Sequence, residues 1–284
     1  MIKRVLTGAA FAVLVLAGVL LRGWAMFALI SLAMIVSVFE MYRSIRATGV
    51  EPVCWAGYLF CAVSIAAQAA ALSLSDGPNL SMYALLISVM AAMTRLVVRG
   101  KVAVDSLMAT VFPMLYPGIF YLALIDLLRL KNPAVITVAL VLAFFCASIN
   151  DVFALFTGMC LGKHKLSPVL SPKKTVEGSI GGLVASVLFA MAVPSLVRLV
   201  FCWDPAFVAE LDVLPPLWAF AILGLVAGGF SQIGDLAASM VKRHCGVKDF
   251  GHILPGHGGI MDRMDGILFC GVACVLFFRI TGLG

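Results

Sequence analysis

The residues able to do chemistry crowd into one stretch, Ser239 to Asp265, which reads SMVKRHCGVKDFGHILPGHGGIMDRMD. Lys242, Arg243, Lys248 and Arg263 supply cations, and Asp249, Asp262 and Asp265 supply carboxylates. Gly251, Gly256, Gly258 and Gly259 permit close backbone approach to a ligand, and successive amides can form a nest for anions. Asp235 stands one helical turn upstream, inside an apolar run. An aspartate in hydrocarbon costs about 2.5–3.5 kcal/mol on insertion scales, so it faces a partner or a cavity. The small residues Gly228, Gly229, Ser231, Gly234 and Ala238 leave room there for a helix, water or an ion. The plainer account is a helix-end carboxylate paired with a lysine such as Lys242. Asp262 and Asp265, spaced i,i+3 after His257-Gly258-Gly259, share one helical face. They repel each other unless a cation lies near, although a helix start offsets part of that cost. Ligand sets of oxygen alone suit a hard ion such as magnesium, which keeps waters and bridges to substrate phosphates. Cations beside such acids are what phosphoryl and nucleotidyl transfer require, since charge neutralisation and alignment do most of the work.

A second polar cluster, GKHKLSPVLSPKKTVEGSIGG, spans residues 162–182. Ser171, Lys173, Lys174, Thr175 and Glu177 are its candidate substrate-binding residues. Thr175 with Glu177-Gly178 also reads simply as a helix start, and the lysines as positive charge retained on the inner face. Asn150 and Asp151 join this cluster at the inner end of an apolar run, and the histidines His164, His244, His252 and His257 all fall in the two polar loops. The eight cysteines lie mostly in apolar runs, where cysteine behaves as a small hydrophobe. They show no zinc spacing, and Cys245 beside His244 reads as a chance neighbour rather than a nucleophile.

The elements that must position these groups are membrane helices. The 284 residues are 63% hydrophobic and only 12% charged, with a mean hydropathy of +1.11; a soluble domain carries roughly 25% charged residues. The expected fold is all-α, a polytopic transmembrane bundle of about nine spans near 5–21, 24–42, 52–73, 81–98, 104–127, 134–158, 177–200, 216–241 and 259–281. The first span is read as retained rather than cleaved. Pro113 and Pro117 should kink the fifth, and 201–215 reads as a surface loop. Arginines and lysines at 43, 46, 95, 99, 101, 163, 165, 173, 174, 242, 243 and 248 mark the inner loops. Asp76, Asp204, Glu210 and Asp212 mark the outer ones, with Arg129 and Lys131 as misfits. This asymmetry predicts a cytoplasmic N-terminus and an external C-terminus. The net charge of +6 belongs to that rule and not to nucleic acid, for which no aromatic-studded basic domain exists. Residues 1–130 are expected as a scaffold of N-terminal helices, where homodimer contacts would also fall, and 131–284 as the catalytic part.

Ser-x-x-Lys-Arg from Ser239, Lys248-Asp249, and Pro-x-His-Gly-Gly-x-x-Asp-Arg-x-Asp ending at Asp265 resemble the long motif of the phosphatidate cytidylyltransferases (CDP-diacylglycerol synthases). Ser171-Pro-Lys-Lys-Thr-Val-Glu-Gly178 is similar to that family's second block, and Asn150-Asp151 to a shorter third. Phe250 departs from the pattern, where a small residue is more usual. The resemblance is firm over about 150–284. It implies that CTP and phosphatidate from the bilayer give CDP-diacylglycerol and pyrophosphate. It also implies Mg2+ on Asp235, Asp262, Asp265 and Asp249, with a second cation left open. Asp235, Asp262, Lys242 and Lys248 would be catalytic. Ser239, Arg243, His257, Gly258, Gly259 and Arg263 would bind substrate along with the 171–177 set. The expected location is a bacterial cytoplasmic (inner) membrane, with the active site facing the cytoplasm.

Two other classes bear comparison. A CTP-dependent polyprenol or phytol kinase would not carry the complete 239–265 block. A secondary transporter using Asp235 as a coupling-ion site would show inverted repeats and broken midplane helices, which the sequence lacks.

Overall fold

The computed structural model describes residues 13–21, 23–73, 80–100, 104–254 and 258–284. The beginning of the first expected span, with Lys3 and Arg4, lies outside the described residues, as do Arg22, Asp76, Lys101, Gly256 and His257.

In hydrocarbon a backbone must satisfy its own hydrogen bonds, and the long apolar runs do so as helices. After a helical stretch at 13–21 come α1 (Gly23–Arg46), α2 (Cys54–Ser73), α3 (Ser81–Val98), α4 (Val104–Arg129), α5 (Pro133–Leu161) and α6 (Val176–Val200). The short α7 (Pro205–Glu210) precedes α8 (Leu217–His244) and α9 (Met261–Ile280). Among the described residues, seven helices are long and apolar enough to cross a membrane: α1 to α6 and α8. The segment expected as the ninth span forms the helix α9, but Asp262, Arg263, Asp265 and Arg279 keep it out of that set. The chain is thus an almost wholly helical membrane protein. One small antiparallel hairpin, β1 (Lys165–Ser167) with β2 (Ser171–Thr175), occupies the second polar cluster.

Local sequence explains the breaks. In α4 the backbone leaves helical geometry at Tyr116 (φ −128°, ψ 112°). Pro117 lacks an N–H and disfavours helical geometry in the residue before it, so the expected kink forms there. Asn132 caps α5 by accepting from Val135 N at 2.9 Å, and Pro133 fits the first helical position. The segment 201–215 is more ordered than the expected surface loop. Asp204-Pro205 repeats the same cap-then-proline signal, Asp204 accepts from Phe207 N at 3.1 Å, and Phe207 of α7 and the following Leu211 are buried.

The chain forms two compact units. The first gathers Trp24–Asp126 and Val241–Arg263; the second gathers Leu127–Met240 and Met264–Gly284. In the first, α1 is held by a Ser37–Tyr121 hydroxyl pair at 2.7 Å and by the Tyr42 hydroxyl, which donates to the Thr110 carbonyl at 2.7 Å. In the second, α5 and α6 approach through glycines. A Cβ on Gly178 would stand 2.5 Å from the Ala154 carbonyl, and one on Gly182 would stand 2.8 Å from the Asn150 carbonyl. Such small-residue faces are how membrane helices pack closely without a hydrophobic driving force between them.

Candidate active site

In the first unit the polar stretch folds around Asp262. Its Oδ1 accepts from Lys242 Nζ at 2.9 Å, and its Oδ2 accepts from the Phe250 amide at 2.8 Å and the Gly259 amide at 2.9 Å. The carboxylate therefore reaches back from the first turn of α9 to an amide ahead of the helix, as in half of a capping box. Gly258 makes this return possible. It has φ +82°, a left-handed conformation, and a Cβ there would lie 2.8 Å from Asp262 Oδ2. Phe250 is buried, and its ring lies 5.4 Å below the Lys242 ammonium. The departure from the family pattern thus adds packing and a cation–π contact around the Asp262–Lys242 pair. Arg243, Lys248 and Arg263 are exposed around this core, and Asp249 is half-buried. Burial pushes the Cys245 thiol above its usual range, so at neutral pH it is no nucleophile.

In the second unit a cavity of about 270 Å³ opens between α5, the hairpin, α6 and α8. Lys173, Lys174, Thr175 and Asp235 line its polar side, and Leu155, Met159 and Leu166 its apolar side. The Lys174 ammonium is ion-paired with the Asp235 carboxylate. Asp235 therefore does pair with a lysine, and the lysine comes from β2. Thr175 also caps α6, accepting from the Gly178 amide at 3.1 Å. Glu177 turns away from the cavity and takes the amides of Lys163 and His164 together with His164 Nδ1, at 2.6 Å. That tie anchors the hairpin to the start of α6. Ser171 is half-buried in β2, and Ser239 is half-buried on α8 below Asp235.

The small residues near Asp235 mostly admit other helices. Gly228 abuts Ser186 and Asn150, whereas a Cβ on Gly234 would come within 2.6 Å of the Asp265 carbonyl. Gly229 faces open space. Asp265 is buried, and one of its oxygens accepts from the Gly266 amide at 2.8 Å. The four carboxylates expected around a metal divide by unit, Asp249 and Asp262 in the first, Asp235 and Asp265 in the second. Among the described residues no three of His, Cys, Asp or Glu stand together as a metal cage.

A model of the Cytidylyltransferase family matches residues 2–281. The chain belongs to that family. Its relatives include proteins named phosphatidate cytidylyltransferase from Staphylococcus saprophyticus, 46% identical over 127 residues, and Staphylococcus haemolyticus, 44% identical over 127. A third, from Staphylococcus epidermidis, is 41% identical over the same length. Each match covers 45% of this chain and 44% of the relative, so the alignments span less than half the length of these proteins. The family expected from the 239–265 and 171–178 blocks is the family found.

In this chain two structural participants escaped the sequence reading. Glu40 of α1 accepts from the amides of Ile260 and Met261 at the start of α9. Its signal was a lone acid in the apolar run 24–42. The other is Gln232, one turn before Asp235. Its Nε2 donates to Asn150 Oδ1 at 3.2 Å and to the Ser179 carbonyl at 2.9 Å, and its Oε1 accepts from the Ser179 hydroxyl. Asn150 in turn donates to Ser186 Oγ and to the Gly228 carbonyl. Both amides are fully committed, so this network staples α5, α6 and α8 behind the cavity and has no donor left for a ligand.

Proposed function

We propose that the protein is a phosphatidate cytidylyltransferase, joining CTP and phosphatidate into CDP-diacylglycerol and releasing pyrophosphate. The observation that carries the lipid half of this reading is the cavity in which Lys173, Lys174 and Asp235 face Leu155, Met159 and Leu166. A phosphate-headed lipid needs that combination of cations beside an apolar wall, with its acyl chains left in the bilayer. Family membership supports the cytidylyl half.

In the proposed reaction a phosphate oxygen of phosphatidate attacks the α-phosphorus of CTP. A new P–O–P bond forms, the α–β bond breaks, and pyrophosphate leaves. The protein then needs no nucleophile of its own; it must hold two polyanions in line. Lys173 and Lys174 would hold the lipid phosphate. Lys242, Lys248, Arg243 and Arg263 would neutralise the triphosphate. Each paired lysine already sits on an aspartate, so its charge is oriented before substrate arrives.

Magnesium fits the donor chemistry, which is aspartate oxygen throughout. With no three-residue cage among the described residues, an ion would complete its shell from water and substrate phosphate, as magnesium habitually does. When bound it would offset charge on the triphosphate and the leaving group. Asp235, Asp249, Asp262 and Asp265 are the carboxylates proposed to hold it. A site facing the cytoplasm, in a bacterial inner membrane, belongs to the same proposal, and the cations of the loops expected inside support that facing.

The test uses purified protein in liposomes with phosphatidate, CTP and magnesium, following CDP-diacylglycerol by mass and pyrophosphate release in parallel. Wild type should give both products, a chelator should stop both, and correctly folded Asp235→Asn and Asp262→Asn variants should give neither. A phosphorylated alcohol, or substrate flux without a nucleotide product, would sink the reading.

A further inference from the structure

We propose that Glu40 is a positioning residue, which fixes the first turn of α9 and so sets the place of the Asp262 carboxylate from a helix remote in sequence. Glu40 lies near the C-terminal end of α1 and is only 1% exposed. A carboxylate so placed is costly unless partnered. Its partners are two amides that α9 cannot satisfy internally: Ile260 N donates to Oε1 at 3.2 Å, and Met261 N donates to Oε2 at 2.9 Å. The charge also sits at the positive end of the α9 dipole.

The glycines of the polar stretch are shaped to this carboxylate. An added Cβ on Gly251 or Gly259 would overlap the Glu40 carboxylate oxygens. Gly259 therefore does two things in one peptide unit. Its α-carbon admits Glu40, and its amide donates to Asp262 Oδ2. Three consecutive amides, Gly259 to Met261, are consequently divided between two buried acids. α1 makes a firm base for this, since Ser37 and Tyr42 tie it to Tyr121 and Thr110 on either side of Glu40. Asp262 itself touches Lys242, so an error in the turn moves both charges.

The kinetic half of this inference rests on the cytidylyltransferase reading; the structural half does not. The experiment is hydrogen–deuterium exchange of the substrate-free protein in detergent, comparing wild type with Glu40→Gln. Glutamine keeps the shape but turns one acceptor into a donor facing an amide. Exchange in peptides covering 258–262 should rise at least about tenfold, since a hydrogen bond to a charged group is lost. Exchange in α5 and α6 should not change. In the liposome assay the same variant should lose about 10- to 100-fold in kcat, with the KM for phosphatidate unaltered. Gly259→Ala, which pushes a methyl against the carboxylate, should reproduce the local exchange change. It therefore keeps the test decisive if Glu40→Gln fails to fold. Unchanged exchange at 258–262 in either folded variant would overturn the proposal. A wild type inert towards CTP would defeat the proposed reaction and leave the exchange result standing.

Discussion

The Lys242 and Asp262 side chains retain 14% and 3% of their exposure, against 28% and 26% for Lys174 and Asp235. Depth separates what the two pairs do for the fold. Breaking a buried pair strands one charge and costs about 3–5 kcal/mol, whereas a half-exposed pair contributes under about 1 kcal/mol. Lys242→Met alone should therefore lower the thermal midpoint in detergent strongly, because Asp262 stays buried without its cation. The double variant Lys242→Met/Asp262→Leu should recover much of that stability and remain inactive in CDP-diacylglycerol formation. Lys174→Met should scarcely move the midpoint, yet lose on the order of 100-fold in activity by removing the charge proposed to hold the lipid phosphate. An active Lys174→Met enzyme would remove the cavity from the mechanism. At this scale the sequence was most legible where charge types crowd together, and Asp235, Lys242 and Asp262 all stood out. Glu40 did not, because its partners are backbone amides more than two hundred residues away, and amides leave no mark in a sequence.

Gly246 and Gly258 both adopt left-handed backbone, with φ +66° and +82°. Alanine at either should cost about 1–2 kcal/mol for the conformation itself. They differ in what a methyl would meet: open space at Gly246, the Asp262 carboxylate at Gly258. Gly246→Ala should thus lose stability while keeping its kcat, and Gly258→Ala should lose both. Equal activity in the two variants would show that the turn before α9 does not aim Asp262. Among elements, the helices were legible because apolar runs bounded by charge admit little else in a membrane, and the Pro117 break followed from proline's missing donor. Two features were less visible. The hairpin at 165–175 is too short for alternation to register, and α7 hid inside a proline-rich segment whose Asp204-Pro205 start is a cap signal read only as loop composition.

For the whole chain, orientation in the membrane is proposed from charge alone, and contacts inside the second unit bear on a narrower question, which segments share a face. Segments assigned outside meet one another: Lys131 N donates to the Leu283 carbonyl at 3.2 Å, and Ala134 N donates to Glu210 Oε2 at 3.1 Å. Segments assigned inside do likewise, with Lys174 on Asp235 and His164 on Glu177. A chain threaded in the expected alternation brings those ends together, whereas a missing or extra span between 131 and 284 would put Leu283 and Lys131 on opposite faces. The misfit cations Arg129 and Lys131 then lie at the end of the unit that also carries Glu210, which softens their conflict with the positive-inside rule. Two native cysteines report the outcome, since Cys160 at the end of α5 and Cys202 before α7 are both exposed. In spheroplasts, a membrane-impermeant maleimide should label a variant retaining only Cys202. A variant retaining only Cys160 should be labelled only after lysis. The reverse pattern would invert the topology and move the proposed active site to the outer face, where cytoplasmic CTP does not reach it. Labelling of both from outside would break the alternation and, with it, the reading of α5 and α6 as full spans.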